Sequence, residues 1–183
     1  DYVLRYGHRD YLEAEQQVLW IKANLLDETQ LESSVVADVC CGQGRHLRAF
    51  HQLGISKCFG IDLSQYLLSN LISKCPVIRS RMDNIPLQDG SVDIVTSFFT
   101  SFGYLSTEED NLKVLHEFQR VMRGGGYLVL DIANRRYLEC NLICKSESCV
   151  CTPQATTEVY KETRSIVDGI VTKVICKESS GEK

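Results

Sequence analysis

No stretch of this sequence strings together the roughly eighteen apolar residues that a membrane-crossing helix needs, so no helical span is expected. A basic segment followed by a short apolar run is also missing at the start, which points away from secretion and makes the cytoplasm the expected compartment. Positive charge is not in excess. Twenty Lys and Arg stand against 24 Asp and Glu, a net charge of −4, so no general field draws the chain to polyanions, and nucleic acid is not favoured as a partner. Metal-ligand spacing is lacking too: Cys140, Cys144, Cys149 and Cys151 cluster without a C-x-x-C pair or a nearby histidine, and no metal site is expected. The nine cysteines are an odd number, and without a secretion signal they read as reduced thiols, several of them serving as small apolar residues in strands. There is no internal repeat and no low-complexity tract. The first residue is Asp1 and not Met, which reads as a processed or trimmed piece.

At 183 residues the chain is long enough to bury a genuine core as one domain. Its organising stretch is Val35-Val36-Ala37-Asp38-Val39-Cys40-Cys41-Gly42-Gln43-Gly44-Arg45-His46, an apolar run passing into two glycines spaced one apart and then into helix-competent residues. That is a strand, a tight turn and a helix start. A turn of this kind needs positive φ or a close backbone approach to a ligand, which glycine permits, although a plain joining turn would look the same. About twenty residues on, Lys57-Cys58-Phe59-Gly60-Ile61-Asp62 is a second short strand ending in a carboxylate, the position from which an acid reaches a ribose. A dinucleotide fingerprint requires a third small residue where Leu47 stands, so the match to NAD is poor.

Strands are expected at about 35–40, 57–62, 77–82, 92–99 and 127–132, separated by helices. Asp10 and Glu13 form a weak capping box before an apolar stripe from Leu12 to Leu26, a helix of about sixteen residues. Ahead of it, Tyr2, Tyr6, His8, Arg9 and Tyr11 make an aromatic and basic arm. Leu47, Phe50 and Leu53 mark a helix stopped by Gly54; Ser64 caps another whose Leu67, Leu68, Leu71 and Ile72 face inward until Cys75-Pro76. Ser106-x-x-Glu109 is a capping box before Leu112, Leu115, Phe118, Val121 and Met122, and Gly124-Gly125-Gly126 ends that helix. The strand that follows, 127–132, is nearly all apolar, as one covered on both faces would be. Residues 135–155 have no sustained period, and alternating strands at about 156–167 and 170–178 flank Asp168-Gly169, a two-residue hairpin signal. The alternation implies an α/β architecture, a doubly wound parallel sheet with helices on both faces, plus a C-terminal antiparallel hairpin outside it.

Cys41-Gly42-Gln43-Gly44-Arg45-His46 resembles the C-G-T-G-R-H form of motif I in class I S-adenosylmethionine-dependent methyltransferases. Pro86-Leu87-x-Asp89-Gly90-Ser91-Val92-Asp93 and Arg120-Val121-Met122-x-Gly124-Gly125-Gly126 look like later parts of the same family, and the resemblance covers most of residues 1–134. It implies a Rossmann-like fold, S-adenosylmethionine as cofactor and a small-molecule methyl acceptor. It also implies a cofactor-binding set of Asp38, Cys40, Gly42, Gly44, Asp62, Leu63, Met82, Asp83, Asn84 and Ser97. Within that set Asp38, Gly42 and Gly44 would hold the methionine portion, Asp62 the ribose hydroxyls and Asp83 the adenine amino group; Met82 and Asn84 would flank the ring, and Leu63 would pack on it. Each acid has a plainer reading: Asp38 as a strand-end cap, Asp62 as a helix-start charge, Asp83 as a turn former. Tyr2 and Tyr6 are further candidates beside the cofactor. Phe98, Phe99, Phe102 and Tyr104 fall near the sheet edge where a sulfonium would sit, and no residue is singled out as catalytic.

Ser97-Phe98-Phe99-Thr100 lacks the Asn/Asp-Pro-Pro-aromatic motif of enzymes that methylate base or glutamine amino groups, and the chain lacks the Pro-Cys nucleophile of cytosine C5 enzymes. The family normally continues with another helix and two antiparallel strands, whereas only about fifty residues follow the fifth strand here, so the final pair is expected to be missing. Residues 135–183 then read as a variable tail of the same domain whose hairpin acts as a lid or substrate region. Two other readings stand beside this one, a nicotinamide-dependent oxidoreductase and a cofactor-binding module without catalysis.

Overall fold

The computed structural model describes residues 11–27, 30, 33–151, 157–167 and 170–178. Residues 1–10 lie outside that set, and with them Tyr2, Tyr6, His8 and Arg9 of the aromatic arm and the Asp10 half of the first capping box, whereas Tyr11 opens the first helix; Asp168-Gly169 lies outside as well. The described residues fall into two compact units, with the chain passing from one to the other after Ile132.

In the first unit, helix α1 (Tyr11–Leu25) precedes strand β1 (Val36–Val39), all four of whose residues are buried. Helix α2 (Arg45–Gln52), strand β2 (Cys58–Asp62), helix α3 (Gln65–Ser69) and strand β3 (Val77–Arg79) follow, then β4 (Val92–Ser97), α4 (Glu108–Val121) and β5 (Met122–Leu130). The strands pair in parallel in the order β3-β2-β1-β4-β5. A central, doubly covered strand is apolar on both faces, and β1 is so except at Asp38. Val36 and Ile94 pack with Val18 and Ile21 of α1 and with Leu47 and Phe50 of α2. Ala37, Val39, Ile61 and Val95 pack on the other side with Val114, Phe118 and Val121 of α4. Cys41, Cys58 and Cys75 belong to the first cluster, so these thiols do serve as small apolar residues.

Several element ends differ from the sequence expectation, each for a local reason. Helix α3 stops at Ser69, and Leu71 and Ile72 are not on a helix; Ile72 N–H donates to Gln43 O (2.9 Å), which draws this segment across the glycine turn instead of winding it. None of the residues of α3 is buried. The expected third strand shrinks to Val77–Arg79, and the fourth ends at Ser97 because Phe99 and Thr100 both take positive φ (59° and 52°). Helix α4 is capped one residue later than Ser106: Thr107 Oγ1 accepts from Asp110 N–H at 3.0 Å. Its buried side chains are Val114, Phe118 and Val121, with Leu112 on the exposed side. Gly124-Gly125-Gly126 does not end the helix but lies inside β5, which starts at Met122; a register irregularity opposite Val92 and Ile94 accommodates Gly125 at φ 81°. Tyr127 is 44% exposed and Leu128 is exposed as well, so β5 is not covered on both faces; it is the edge strand of this sheet.

The second unit holds helix α5 (Arg135–Asn141), whose start is capped by Asn134 Oδ1 accepting from Tyr137 N–H (3.1 Å), and strands β6 (Lys145–Cys151), β7 (Thr157–Val167) and β8 (Ile170–Glu178). These three strands form their own antiparallel sheet, β6-β7-β8, apart from the parallel sheet. The hairpin was expected; α5 and β6 fall in the segment that has no sequence period. Among the described residues no helix is long and apolar enough to cross a membrane.

Candidate functional site

Parallel register places Asp38 of β1 between Gly60 of β2 and Thr96 of β4. Asp38 is 1% exposed, and its Oδ1 accepts a hydrogen bond from Thr96 Oγ1 at 2.8 Å. Its Oδ2 is buried without a hydrogen-bond partner among the described residues, and the hydroxyl of Ser97, at the end of the neighbouring strand, is in the same condition. Buried polar atoms without partners are costly and uncommon, so two of them at the carboxyl edge of a parallel sheet mark a place where a ligand's polar groups would be stabilising. Burial lifts the Asp38 carboxyl to about 7, the Asp62 charge adds to the rise, and the Thr96 hydroxyl and Arg45 oppose it.

After β1 the chain turns abruptly: Cys40 takes φ 64°, a left-handed conformation rare for a residue with a Cβ, followed by Gly42 (φ 56°) and Gly44 (φ 78°). Asp62 anchors this turn. Its Oδ2 accepts from Gly42 N–H and its Oδ1 from Ser64 N–H, both at 2.8 Å, so one carboxylate at the end of β2 fixes the glycine turn and the start of α3 together. An ionised carboxylate offers about four acceptor positions, which leaves lone pairs for two hydroxyls. Gly44 is needed for a second reason besides its φ, because a Cβ there would lie 3.0 Å from Leu71 and 3.2 Å from Ser73 of the segment drawn across the turn. A Cβ on Gly42 would meet only Leu67, at 3.8 Å, so the turn is open on that side.

Around this turn, Leu63 is 56% exposed beside Asp62, an apolar surface positioned for stacking. Cys40 Sγ lies 3.8 Å from Met82 Sδ; burial and then the Asp62 and Asp38 charges push the thiol up to about 12, which leaves it unsuited to act as a nucleophile. Asp83 is gripped by Arg81, with Nε donating to Oδ1 (2.8 Å) and Nη2 to Oδ2 (2.7 Å), a fork that holds its carboxyl below the usual range. Asn84 caps the same turn through its backbone, with N–H donating to Arg81 O and its carbonyl accepting from Ser80 Oγ. Asp38, Cys40, Gly42, Asp62 and Met82 are thus linked by direct contacts or charge, Ser97 follows Thr96 on β4, and Asp83 is engaged by its own neighbour.

The aromatic candidates do not converge. Phe98 is buried and stacked on His46, with ring centroids 3.8 Å apart and planes 9° apart, while Phe102 packs with the α4 cluster and Tyr104 is exposed. His46 Nε2 donates to Gln17 Oε1 at 2.7 Å, since a carbonyl oxygen can only accept, and burial followed by the Arg45 charge lowers its pKa to about 3. It is a neutral packing residue at ordinary pH. The later motif block proves structural: Arg120 donates to Leu87 O, Ile85 O and Asp89 and pairs with Glu117, pinning the Ile85–Asp89 loop to α4.

Sequence reasoning did not single out Thr96, Gly60, Gln17, Trp20 or Asp131. Asp131 carried the same signal as Asp62, an acid at the carboxyl end of a parallel strand, and it holds the loop after β4 with three hydrogen bonds. Its Oδ2 accepts from Phe99 N–H (3.0 Å), its carbonyl from Thr100 N–H (2.9 Å), and its own N–H donates to Ser97 O (3.0 Å).

Residues 37–130 match the family model described as a methyltransferase domain. By sequence the chain is similar to the dTDP-3-amino-3,4,6-trideoxy-alpha-D-glucopyranose N,N-dimethyltransferase of Streptomyces venezuelae, 28% identical over 118 residues, covering 60% of this chain and 46% of that one. It is also similar to the mouse (Mus musculus) protein named Probable tRNA methyltransferase 9B, 24% identical over 143 residues, 75% of this chain and 31% of that one. The chain therefore spans less than half the length of these curated relatives. Its fold is that of Streptomyces venezuelae DesVI (TM-score 0.69, 20% identity, covering 97% of this chain and 80% of that one). The S-adenosylmethionine-bound CalS10, an amino pentose methyltransferase from Micromonospora echinaspora, is alike to the same degree (TM-score 0.69, 17% identity, 97% and 80%).

Proposed function

The chain belongs to the methyltransferase domain family, and on that premise we propose that it transfers a methyl group from S-adenosylmethionine to a small-molecule acceptor. The observation that carries the reading is the buried, partnerless pair Asp38 Oδ2 and Ser97 Oγ beside a glycine turn tied down by Asp62. These residues fit the cofactor: Asp38 with Gly42 and Gly44 would hold its methionine portion, Asp62 its ribose, and Asp83, Met82, Asn84 and Leu63 its adenine, with Cys40 and Ser97 lining the same edge. Bound there, S-adenosylmethionine supplies an electrophilic methyl on a sulfonium. The chain's part is to align the acceptor with that methyl, a step in which positioning alone supplies much of the acceleration and no strong base is required. The Asp131-held loop from Phe98 to Thr100 would form the acceptor side of the edge.

A small-molecule acceptor is supported by the net charge of −4, which offers no general attraction to nucleic acid. The sugar-directed name of the Streptomyces relative points the same way. A lid or acceptor-selecting role for residues 135–183 belongs to the same proposal; the separate antiparallel sheet of β6, β7 and β8 supports it. Incubation with methyl-labelled S-adenosylmethionine and a fractionated cell extract tests this directly. Label is expected in the small-molecule fraction. Label confined to RNA would overturn the acceptor class, and cofactor binding with no label in any fraction would leave only a binding module.

A further inference from the structure

A cavity of about 190 Å³ lies between α1 and the carboxyl ends of β4 and β5, lined by Gln17, Trp20, Ile21, Phe98, Leu130 and Asp131 among others. A water's share of liquid volume is about 30 Å³, so the space suits one six-membered ring with a short substituent. No residue of the expected cofactor set lines it, but Phe98 follows Ser97 directly in the chain. Two aromatic side chains, Trp20 and Phe98, and three aliphatic ones, Ile21, Val129 and Leu130, form its apolar part. Its charge is that of Asp131.

The polar groups are already sorted by their other bonds. Gln17 Oε1 is engaged by His46, which leaves the side-chain N–H donors of Gln17 free of that contact. Asp131 Oδ2 is engaged by Phe99 N–H, whereas Oδ1 makes no hydrogen bond among the described residues. Phe98 cannot swing away, being stacked on the neutral His46 ring. A rigid aromatic wall, a second aromatic ring and one carboxylate with a spare oxygen are the parts of a site for an organic cation, because ring faces and a carboxylate both attract positive charge, whereas a neutral hydroxyl would gain a hydrogen bond to the carboxylate without the charge attraction of either.

We propose that this cavity binds a compact cationic group, an alkylammonium carried on a ring-sized acceptor, with Asp131 as its charge partner and Trp20 and Phe98 as its aromatic walls. This rests on the methyl-transfer reading for the word acceptor, but the cation site itself does not. The cavity recognises the protonated amine as a handle; the transferred methyl goes to whichever group of the acceptor carries a free lone pair at the cofactor edge.

The chain has one tryptophan, Trp20, so its emission reports on the cavity. We would titrate the protein with benzylamine, a cation at pH 7, and with benzyl alcohol, its neutral counterpart, following Trp20 fluorescence, and measure S-adenosylmethionine binding separately. Benzylamine is expected to act at a concentration at least tenfold lower than benzyl alcohol. In Asp131→Asn, which keeps an oxygen for Phe99 N–H but loses the charge, the two midpoints should fall within about twofold in protein that still binds S-adenosylmethionine. Equal midpoints in the wild type, or no emission change with either probe in protein that binds the cofactor, would overturn the proposal without touching the methyl-transfer reading. A retained tenfold amine preference in folded Asp131→Asn would also overturn it. Amine preference in protein that does not bind the cofactor would support the cation site and remove the methyltransferase reading instead.

Discussion

Asp62→Ala is expected to bind S-adenosylmethionine ten- to a hundredfold more weakly and to be less stable than the wild type. The affinity loss follows from removing the hydrogen bonding between a charged acceptor and the ribose hydroxyls, worth about 1.5–3 kcal/mol in all. The stability loss follows from the bonds to Gly42 N–H and Ser64 N–H, which leave two amides near the turn without their acceptor. With partial replacement by water, about 2–4 kcal/mol is expected. At about 2–4 °C per kcal/mol for a chain of this size, the melting temperature should fall by roughly 5–15 °C. Asp62→Asn keeps one acceptor oxygen and should fall between. Calorimetry and thermal melts on the three proteins check this; unchanged affinity in folded Asp62→Ala would show that the carboxylate serves the turn alone.

Gly60→Ala is the second large effect, and it acts through packing. A Cβ at Gly60 would lie 2.5 Å from Cys41 Sγ and 2.6 Å from Leu47 Cδ1, both in buried residues. Neither can yield without moving the glycine turn or α2, and overpacking of this kind costs typically 1–3 kcal/mol. The expected result is a melting temperature lower by roughly 5–10 °C and weaker cofactor binding, because Cys41 is the neighbour of Gly42. The double variant Cys41→Ala with Gly60→Ala removes the sulfur that the new methyl would strike, and should recover part of the loss in a double-mutant cycle. Additive losses would mean that the clash is relieved elsewhere.

Gly60 also shows where the sequence stopped being informative. The parallel strands were legible because short apolar runs end in turn residues or carboxylates at regular intervals, a local pattern. The glycine turn and Asp62 stood out for the same reason. What sat between elements was not legible: Cys40, Phe99 and Thr100 adopt left-handed φ although none is glycine, and each is imposed by hydrogen bonds from distant residues such as Asp131. Helix α3 was overextended because Leu71 and Ile72 keep helical spacing, while a backbone bond to Gln43 decides their course. Strand β6 has no period of its own and is defined by pairing with β7. Thr96, the partner of Asp38, is 58 residues away in sequence, and register alone joins them.

The central claim is that the edge formed by Asp38, the glycine turn and Asp62 is an S-adenosylmethionine site. Calorimetric titration at pH 7 in two buffers of different ionisation enthalpy tests it most directly. Because burial raises the Asp38 carboxyl toward about 7, a share of it carries a proton at that pH, and a positive group brought to its partnerless oxygen would favour the ionised form. The prediction is micromolar binding of S-adenosylmethionine with net proton release, absent in Asp38→Asn, and no binding of NAD. Binding of NAD without S-adenosylmethionine would contradict it.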